Sequence, residues 1–298
     1  MEKIKIDKIL VPTDFSETSE IALSEAASLA KALKAEVTLM HSIETVEYNY
    51  IADTRLLASY PSVDQLQGMA IEKLDKIGKD LKKQYGIKST SIVTTGHVHS
   101  EIVDYAKANN IDLIIMGTHG ASGFIEVFIG SNVQRVVTLS DVPVLTMQRR
   151  GDKEGFKNIL IPIDDSMHSR EKVNIAMVLA KLFNAEIHIT GLSESKDKEE
   201  LRELKIKIAT VEDLVKAAKL KYVTTYEYGD SLAETALNYA TKNNCDLIVI
   251  NTGHESKITG QFLGLFAQQI VNHSKIPVLS VKTTIDSLII TAPGYGIS

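Results

Sequence analysis

Apolar and polar positions alternate along the chain in patterns that predict strands and helices in turn. Short apolar or alternating runs, which are typical of strands, occupy residues 8–12, 36–41, 89–95, 113–116 and 142–147. Between them, apolar positions recur at helical spacing in residues 20–33, 68–85, 101–110 and 130–140, and Ser16 is the expected N-cap of the first of these helices. Regular alternation of strand and helix favours a parallel, doubly wound sheet covered by helices on both faces. We therefore predict an α/β fold, built as an α/β/α sandwich.

Two blocks of this pattern occur a second time. Residues 8–14 read KILVPTD and residues 158–164 read NILIPID, at an offset of 150 positions. Residues 109–118 read NNIDLIIMGT and residues 243–252 read NNCDLIVINT, at an offset of 134 positions. Because the two blocks keep their order and nearly their spacing, the chain contains the same unit twice. The smaller offset indicates a net deletion of 16 residues in the second copy.

The repeat predicts two tandem domains and a tail. The first domain is expected at residues 1–150, the second at residues 151–284, and the tail at residues 285–298. The seam between the domains, residues 149–155, is polar and contains glycine, as inter-domain linkers commonly do. Each domain is expected to form a five-stranded parallel sheet. The residues missing from the second copy correspond to the segment around residues 44–64.

Composition and charge narrow the classes of protein that fit. The 298 residues are 44% hydrophobic and 24% charged, which is ordinary for a globular protein, and the net charge of −5 argues against a broad nucleic-acid surface. The single cysteine excludes an intrachain disulfide framework. No apolar run approaches the ~18–20 residues of a membrane span, and residues 1–8 contain no apolar leader segment. We expect a cytoplasmic protein with no membrane or nucleic-acid partner.

Candidate binding residues follow two predicted strands of the first copy. Pro12, Thr13 and Asp14 follow the first strand. The fourth strand ends at Met116 and Gly117, after which come Gly120 and, nine residues later, the pair Gly130 and Ser131. In open α/β sheets, ligands bind beyond the carboxyl ends of the strands. Glycine lets backbone N–H groups approach an anion closely, and the first N–H groups of a helix attract one.

The glycines alone do not settle this interpretation. Glycines after a strand are often only turn residues. The dinucleotide fingerprint GxGxxG and the P-loop GxxxxGK(S/T) are both absent from the sequence. A phosphate site here is therefore of neither of these two types.

Several motifs together resemble the universal stress protein family. They are Val11–Ser16, the strand ending Leu39–His41, Ile115–Gly120, the spacing G-x2-G-x9-G-S/T, and the block 140–145 that contains Ser140 and Pro143. The resemblance covers almost the whole chain, twice, so the sequence is similar to a tandem member of that family. It implies a five-stranded parallel sheet in each copy and ATP binding in the first, with Mg²⁺ or Mn²⁺ as the accompanying ion.

The resemblance also implies roles for individual residues of the first copy. Gly117, Gly120, Gly130 and Ser131 would hold the ribose and phosphates, and Asn132 would lie beside them. Pro12, Thr13 and Asp14 would flank the ribose and the phosphate side. The backbone around Ser42, just past the second strand, would meet the adenine. Asn132 stands where the family commonly has an aliphatic residue, and this departure affects only the contact expected of that residue.

The second copy lacks most of these residues. The offset of 134 places Asn251 at Gly117, His254 at Gly120 and Leu265 at Ser131, and only Gly264 matches Gly130. A histidine adds a side chain where backbone should approach phosphate, and a leucine removes the hydroxyl. We expect the second copy not to bind ATP in the family manner. A one-residue shift of the alignment would bring Gly253 into the motif instead, and this alternative stays open.

Other reactive side chains favour ordinary structural roles. His97 and His99 could bind a metal with His41 or His119, but a metal site needs a third or fourth ligand placed in space. Cys245 precedes an apolar strand and is expected to be a buried, inert thiol. The lysines of residues 73–83 alternate with acidic residues, as on a solvated helix face. No catalytic residue and no metal ligand is assigned.

The fifth predicted strand of each copy is a candidate for pairing between the two copies or between two chains. Residues 142–147 and 276–281 are apolar edge strands, which favour pairing, and in the family this strand mediates dimers. The two copies are expected to pair within the chain as a pseudo-dimer, and a homodimer is a further option.

The expected function is ATP-dependent stress response or regulation through the first copy. The alternatives are a slow ATPase or nucleotidyl transferase, and an interaction scaffold that needs no nucleotide. The motif contains no lysine or arginine placed to stabilise phosphoryl transfer, so binding is favoured over efficient catalysis.

Overall fold

The computed structural model of the chain describes residues 5–44, 61–118, 129–148, 155–164, 170–252, 254–256 and 260–282. Contacts between residues divide the chain into two compact units. One comprises residues 5–125 and 130–144, and the other consists mainly of residues 145–298. The alternation of strands and helices predicted from the sequence is confirmed in both units.

Among the residues that the structure describes, the first unit contains four parallel strands and four helices. In chain order they are β1 (Lys8–Pro12), α1 (Glu17–Leu33), β2 (Glu36–Ile43), α2 (Val63–Tyr85), β3 (Ser89–Thr95), α3 (Val98–Ala108), β4 (Leu113–Gly117) and α4 (Ser131–Leu139). The strand order is β3-β2-β1-β4, and each neighbouring pair in it is parallel. In this register Pro12 pairs with Met40 and Met40 with Ile92, which brings the carboxyl ends of three strands to one edge.

The second unit repeats this alternation of strands and helices and contains additional strands. Its elements are β5 (Val144–Met147), β6 (Asn158–Ile163), α5 (Arg170–Phe183), β7 (Glu186–Ser193), α6 (Lys198–Ala217), β8 (Lys221–Tyr228), α7 (Leu232–Lys242), β9 (Leu247–Thr252), β10 (His254–Ser256), β11 (Gly260–Phe262), α8 (Leu265–His273) and β12 (Val278–Lys282). The strand order is β5-β12-β9-β6-β7-β8. The antiparallel pair β10–β11 lies outside the main sheet and was not expected from the sequence.

The strands are apolar because both faces of each sheet are covered. Ile9, Leu10 and Val11 of β1 have no exposed surface, and neither do their counterparts Ile159 and Leu160 in β6. A strand buried on both faces reads as a continuous apolar run rather than an alternating one. The predicted short apolar runs at these positions therefore reflect helices on both sides.

Two helices begin earlier than the apolar pattern predicts. Helix α2 begins at Val63 because Ser62 and Gln65 form a capping box, with Ser62 Oγ accepting from the Gln65 N–H at 3.2 Å and Gln65 Oε1 accepting from the Ser62 N–H at 2.8 Å. Helix α3 begins at Val98, three positions before the predicted start. The first turn of α2 is stabilised by polar caps and carries little apolar signal, so periodicity places its start poorly.

Helix α1 ends on a lysine in the left-handed conformation, which gives a test of backbone strain. Lys34 has φ 61°, whereas α2 ends on Gly86 at φ 73° and the second copy has Asn184 at the position equivalent to Lys34. This conformation costs a residue with a Cβ about 1–2 kcal/mol, which exceeds the entropic cost of glycine. Lys34→Gly is expected to raise the free energy of unfolding by about 0.5–1 kcal/mol in urea denaturation.

The control for this substitution lies on the same helix. Lys31 is exposed in the last turn of α1 and has ordinary helical geometry. Lys31→Gly should lower the free energy of unfolding by about 0.5–1 kcal/mol, since glycine is a poor helix former. A loss of stability in both variants would show that the left-handed conformation of Lys34 carries no strain.

Candidate functional site

The turn after β1 is held by hydrogen bonds to every polar group of Thr13. Its N–H donates to Met40 O at 2.8 Å, and its hydroxyl donates to Ser19 Oγ at 2.9 Å. The same hydroxyl accepts from the Phe15 N–H at 3.0 Å, and the Thr13 carbonyl accepts from His41 Nδ1 at 2.8 Å. The backbone after Pro12 is therefore fixed to both β2 and the start of α1.

Asp14 takes part in the start of helix α1. Its Oδ1 accepts from the Ser16 N–H at 3.0 Å and from the Ser16 hydroxyl. Ser16 is the N-cap, and its Oγ accepts from the Ser19 N–H at 3.3 Å, as the sequence predicts. The Asp14 carboxylate is therefore held at the turn that joins β1 to α1.

Gly117 packs directly against the first turn of α1. A Cβ added at Gly117 would lie 2.5 Å from Thr18 O and 3.1 Å from Ser19 N. These are backbone atoms, which cannot rotate away, so only glycine fits at the end of β4. Glycine is therefore required here by packing, whether or not a ligand is bound.

Among the described residues, no side chain caps the N-terminus of helix α4. Gly130 is the N-cap residue, and its N–H donates to Thr118 O at 2.8 Å. The helix itself provides no partner for the N–H groups of Ser131, Asn132 and Val133. Three amides and the positive end of the helix dipole thus meet at one point, which favours an anion.

One cavity of about 260 Å³ joins these elements. Nine of the ten predicted site residues line it: Pro12, Thr13, Asp14, Ser42, Met116, Gly117, Gly130, Ser131 and Asn132. The tenth, Gly120, lies outside the described residues, as does His119. The structure therefore brings together every predicted site residue that it describes.

The cavity also contains residues that the sequence did not assign to the site. Ser19, Met40, His41, Val98, Ile102 and Val133 line it as well. Val98 and Ile102 lie one turn apart on α3, but the sequence placed the start of this helix after Val98, which hid that face. The apolar residues among the six form walls around the cavity. Its polar groups come from the turn after β1, from the start of α4, and from Ser19, His41 and Ser42.

The corresponding region of the second copy contains a buried charged pair. Lys172, at the position of Ala22, is 1% exposed, and its Nζ donates to Pro162 O at 2.9 Å. Burial lowers the pKa of the Lys172 amine to about 7, and the nearby Asp164 carboxylate only partly offsets this. Asp164 itself is 8% exposed. Two further positions differ from the first copy. Asn251 has a side chain where the first copy has Gly117, and the exposed Leu265 stands at the start of α8 where the first copy has Ser131.

The remaining reactive side chains are placed as follows. The His97 and His99 rings lie 6.1 Å apart, and among the described residues no cluster of three metal-ligating side chains exists. Cys245 is 5% exposed, and burial, with Asp246 nearby, raises the pKa of its thiol to about 12. In the second copy, burial lowers the pKa of His188, whose Nδ1 lies 3.0 Å from Tyr239 OH.

The chain belongs to the universal stress protein family. The sequence model of that family matches residues 5–148 and, again, residues 155–282. The chain is 36% identical over 156 residues to the universal stress protein MJ0577 of Methanocaldococcus jannaschii, a match that covers 48% of this chain and 95% of that protein. It is 30% identical over 146 residues to the universal stress protein YxiE of Bacillus subtilis, a match that covers 48% of this chain and 99% of that protein.

Solved structures share the fold across both copies. A universal stress protein from Archaeoglobus fulgidus DSM 4304 aligns with a TM-score of 0.76 and 23% identity, covering 95% of this chain and 99% of that chain. This likeness shows the fold alone. The predicted α/β architecture with two tandem parallel-sheet domains is confirmed. In the part of the chain that the structure describes, no helix has the length and apolar character needed to span a membrane.

Proposed function

We propose that the first copy binds ATP, together with Mg²⁺ or Mn²⁺, and that nucleotide occupancy regulates a response to stress. One observation carries the proposal: a single cavity joins the turn Pro12–Asp14, the end of β4 at Gly117 and the start of α4 at Gly130. Its volume of about 260 Å³ is near the lower end for small-ligand sites, roughly 300 Å³.

The lining offers both apolar surface and polar groups. Met40, Val98 and Ile102 provide apolar surface for a base beside the backbone of Ser42. The amides at the start of α4, with the Ser131 hydroxyl, provide donors for phosphate oxygens. Asp14 provides a carboxylate that suits a water-coordinated divalent ion bound mainly by phosphates. These groups are of the kinds that an adenine nucleotide requires for its base, its phosphates and their metal ion.

Binding is favoured over catalysis. The described lining residues of this cavity include neither lysine nor arginine. Phosphoryl transfer depends on positive groups that stabilise charge as it develops on the transferred phosphoryl group. We therefore propose at most slow hydrolysis, and steady turnover that Asp14→Ala abolishes would favour the enzyme alternative.

The second copy is proposed to act without ATP, as one half of an intrachain pseudo-dimer. Support for the pairing comes from the unit of residues 145–298, in which β5 lies next to β12 and Thr146 Oγ1 donates to Val278 O at 3.3 Å. The domain limits at residues 150 and 284 and a cytoplasmic location belong to the same proposal. The alternative function, an interaction scaffold that needs no nucleotide, fits the second copy best, because that copy lacks most of the glycine motif.

Ser131→Glu is expected to weaken ATP binding strongly while the fold is kept. A carboxylate at the first position of α4 interacts favourably with the helix dipole, by about 0.3–1 kcal/mol, but it occupies the region proposed for phosphate and repels it. Isothermal titration with Mg-ATP should show one site per chain for the natural protein and at least a tenfold weaker affinity, about 1.4 kcal/mol, for the variant.

The second copy offers a matched control. Leu265 is the residue equivalent to Ser131, at the start of α8 after the N-cap Gly264, and is 78% exposed. Leu265→Glu makes the same change at an equivalent helix end and should leave ATP affinity and stoichiometry unchanged. Two ATP per chain, with one lost in Leu265→Glu, would show that both copies bind. Unchanged binding in Ser131→Glu would overturn the assignment of the site.

A further inference from the structure

His41 stands between two neighbouring cavities of the first copy. One is the proposed nucleotide cavity, and the other, of about 290 Å³, is lined by residues that include Phe15, Leu66 and Lys73. We propose that His41 is a positioning residue, which clamps the turn Pro12–Asp14 in the conformation that receives the nucleotide. This inference rests on the proposed function of the same site.

The first part of the clamp is a hydrogen bond with a defined direction. His41 Nδ1 lies 2.8 Å from the carbonyl oxygen of Thr13, and because a carbonyl oxygen only accepts, Nδ1 carries the hydrogen. The N–H of Thr13 donates to Met40 O at 2.8 Å. The two sides of Thr13 are therefore attached to consecutive residues of β2, so that the peptide groups around it cannot rotate independently of the sheet.

The second part of the clamp holds a strained residue. Phe15 has φ 63°, a conformation that costs a bulky side chain on the order of 1–3 kcal/mol and persists only when surrounding contacts enforce it. Those contacts are the bond from the Phe15 N–H to Thr13 Oγ1, the His41 ring at 4.7 Å between centroids, and Lys73 Nζ at 4.9 Å from the Phe15 ring. His41 thus supports the turn through both Thr13 and Phe15.

The second copy shows what replaces the clamp where the motif is lost. At the offset of 150, Gly191 stands in place of His41 and Ile163 in place of Thr13. A Cβ at Gly191 would lie 2.5 Å from Ile208 Cδ1 and 3.0 Å from Tyr226 Cδ1, so neighbouring side chains already fill this space. The imidazole is therefore present in the copy that keeps the glycine motif and absent from the copy that lacks it.

Two substitutions of His41 separate positioning from packing. His41→Leu removes the donor, and it should weaken Mg-ATP binding about five- to tenfold, the size expected for one lost hydrogen bond. His41→Asn keeps an N–H donor near the position of Nδ1, and it should recover most of that affinity. In ligand-free protein, hydrogen exchange at the Phe15 and Ser16 amides should be faster in His41→Leu than in the natural protein and close to normal in His41→Asn.

His188→Leu is the matched control, because His188 is also a strand histidine with a hydrogen-bonded Nδ1 but lies in the second copy. It should lower thermal stability without changing ATP affinity or the hydrogen exchange of the Phe15 and Ser16 amides.

Unchanged hydrogen exchange in His41→Leu would overturn the proposed clamp whether or not the protein binds ATP. Faster exchange with equal ATP affinity in both His41 variants and the natural protein would overturn the positioning role. A natural protein that binds no ATP would overturn the proposed function, while the exchange data would still decide the clamp.

Discussion

Gly117→Ala is expected to lower the free energy of unfolding by about 2–3 kcal/mol, as overpacking against immobile atoms does. The added Cβ would lie 2.5 Å from Thr18 O, so the first turn of α1 must move away from β4. Ser19 would move with it, although Ser19 accepts the hydrogen bond that orients the Thr13 hydroxyl. The proposed ATP binding should therefore weaken at least tenfold, about 1.4 kcal/mol. Urea denaturation and isothermal titration measure the two effects.

Gly130→Ala is the control for this substitution. A Cβ at Gly130 would lie 3.4 Å from Thr118 O, which is close to an ordinary contact, and the backbone has φ −59° and ψ 143°. Alanine adopts this conformation easily, so the free energy of unfolding should change by at most about 1 kcal/mol. Equal losses in the two variants would contradict the role assigned to the contact between Gly117 and Thr18.

Lys172→Met is expected to change the pH dependence of stability more than the loss of any exposed lysine. In the folded protein burial lowers the pKa of Lys172 to about 7, whereas in the unfolded chain the pKa stays near 10.5. Between these values the unfolded chain binds more protons, so this lysine makes stability rise with pH across the window. Each pKa unit corresponds to about 1.4 kcal/mol, which gives a rise of a few kcal/mol.

The measurement is the free energy of unfolding at pH 7 and pH 10 for the natural protein and Lys172→Met. The natural protein should gain a few kcal/mol relative to the variant as the pH rises, because the variant has no group to titrate at this position. Groups common to both proteins, such as the Cys245 thiol, cancel in the difference. Lys181→Met, on an exposed position of the same helix, should follow the natural profile. Parallel profiles for the natural protein and Lys172→Met would contradict a buried amine with a lowered pKa.

Much of the fold follows from the sequence because burial forces apolar residues into regular positions. The run at residues 8–12 predicts β1 directly, since a strand covered on both faces tolerates few polar side chains. The start of α2 was misplaced because the Ser62 capping box stabilises a turn that has little apolar content. Boundaries set by polar hydrogen bonds are thus harder to predict than elements set by burial.

In the candidate site, too, some residues could be predicted from the sequence and others could not. Gly117, Gly130 and Ser131 were predicted because glycines after a strand and at a helix start form a local pattern. The contacts of His41 with Thr13 and Phe15 join separate segments, so no spacing in the sequence reports them. Lys172 was missed for another reason: a lysine is normally exposed, and its burial against Pro162 O depends on tertiary packing.

The buried thiol of Cys245 makes the protein convenient for site-specific labelling. Maleimide-type reagents attack the thiolate, and a thiol with a pKa of about 12 and 5% exposure provides almost none at neutral pH. A cysteine introduced on the surface should therefore react alone, without removal of the native one. A fluorophore attached near the mouth of the proposed nucleotide cavity would then report ligand occupancy in an otherwise unaltered chain.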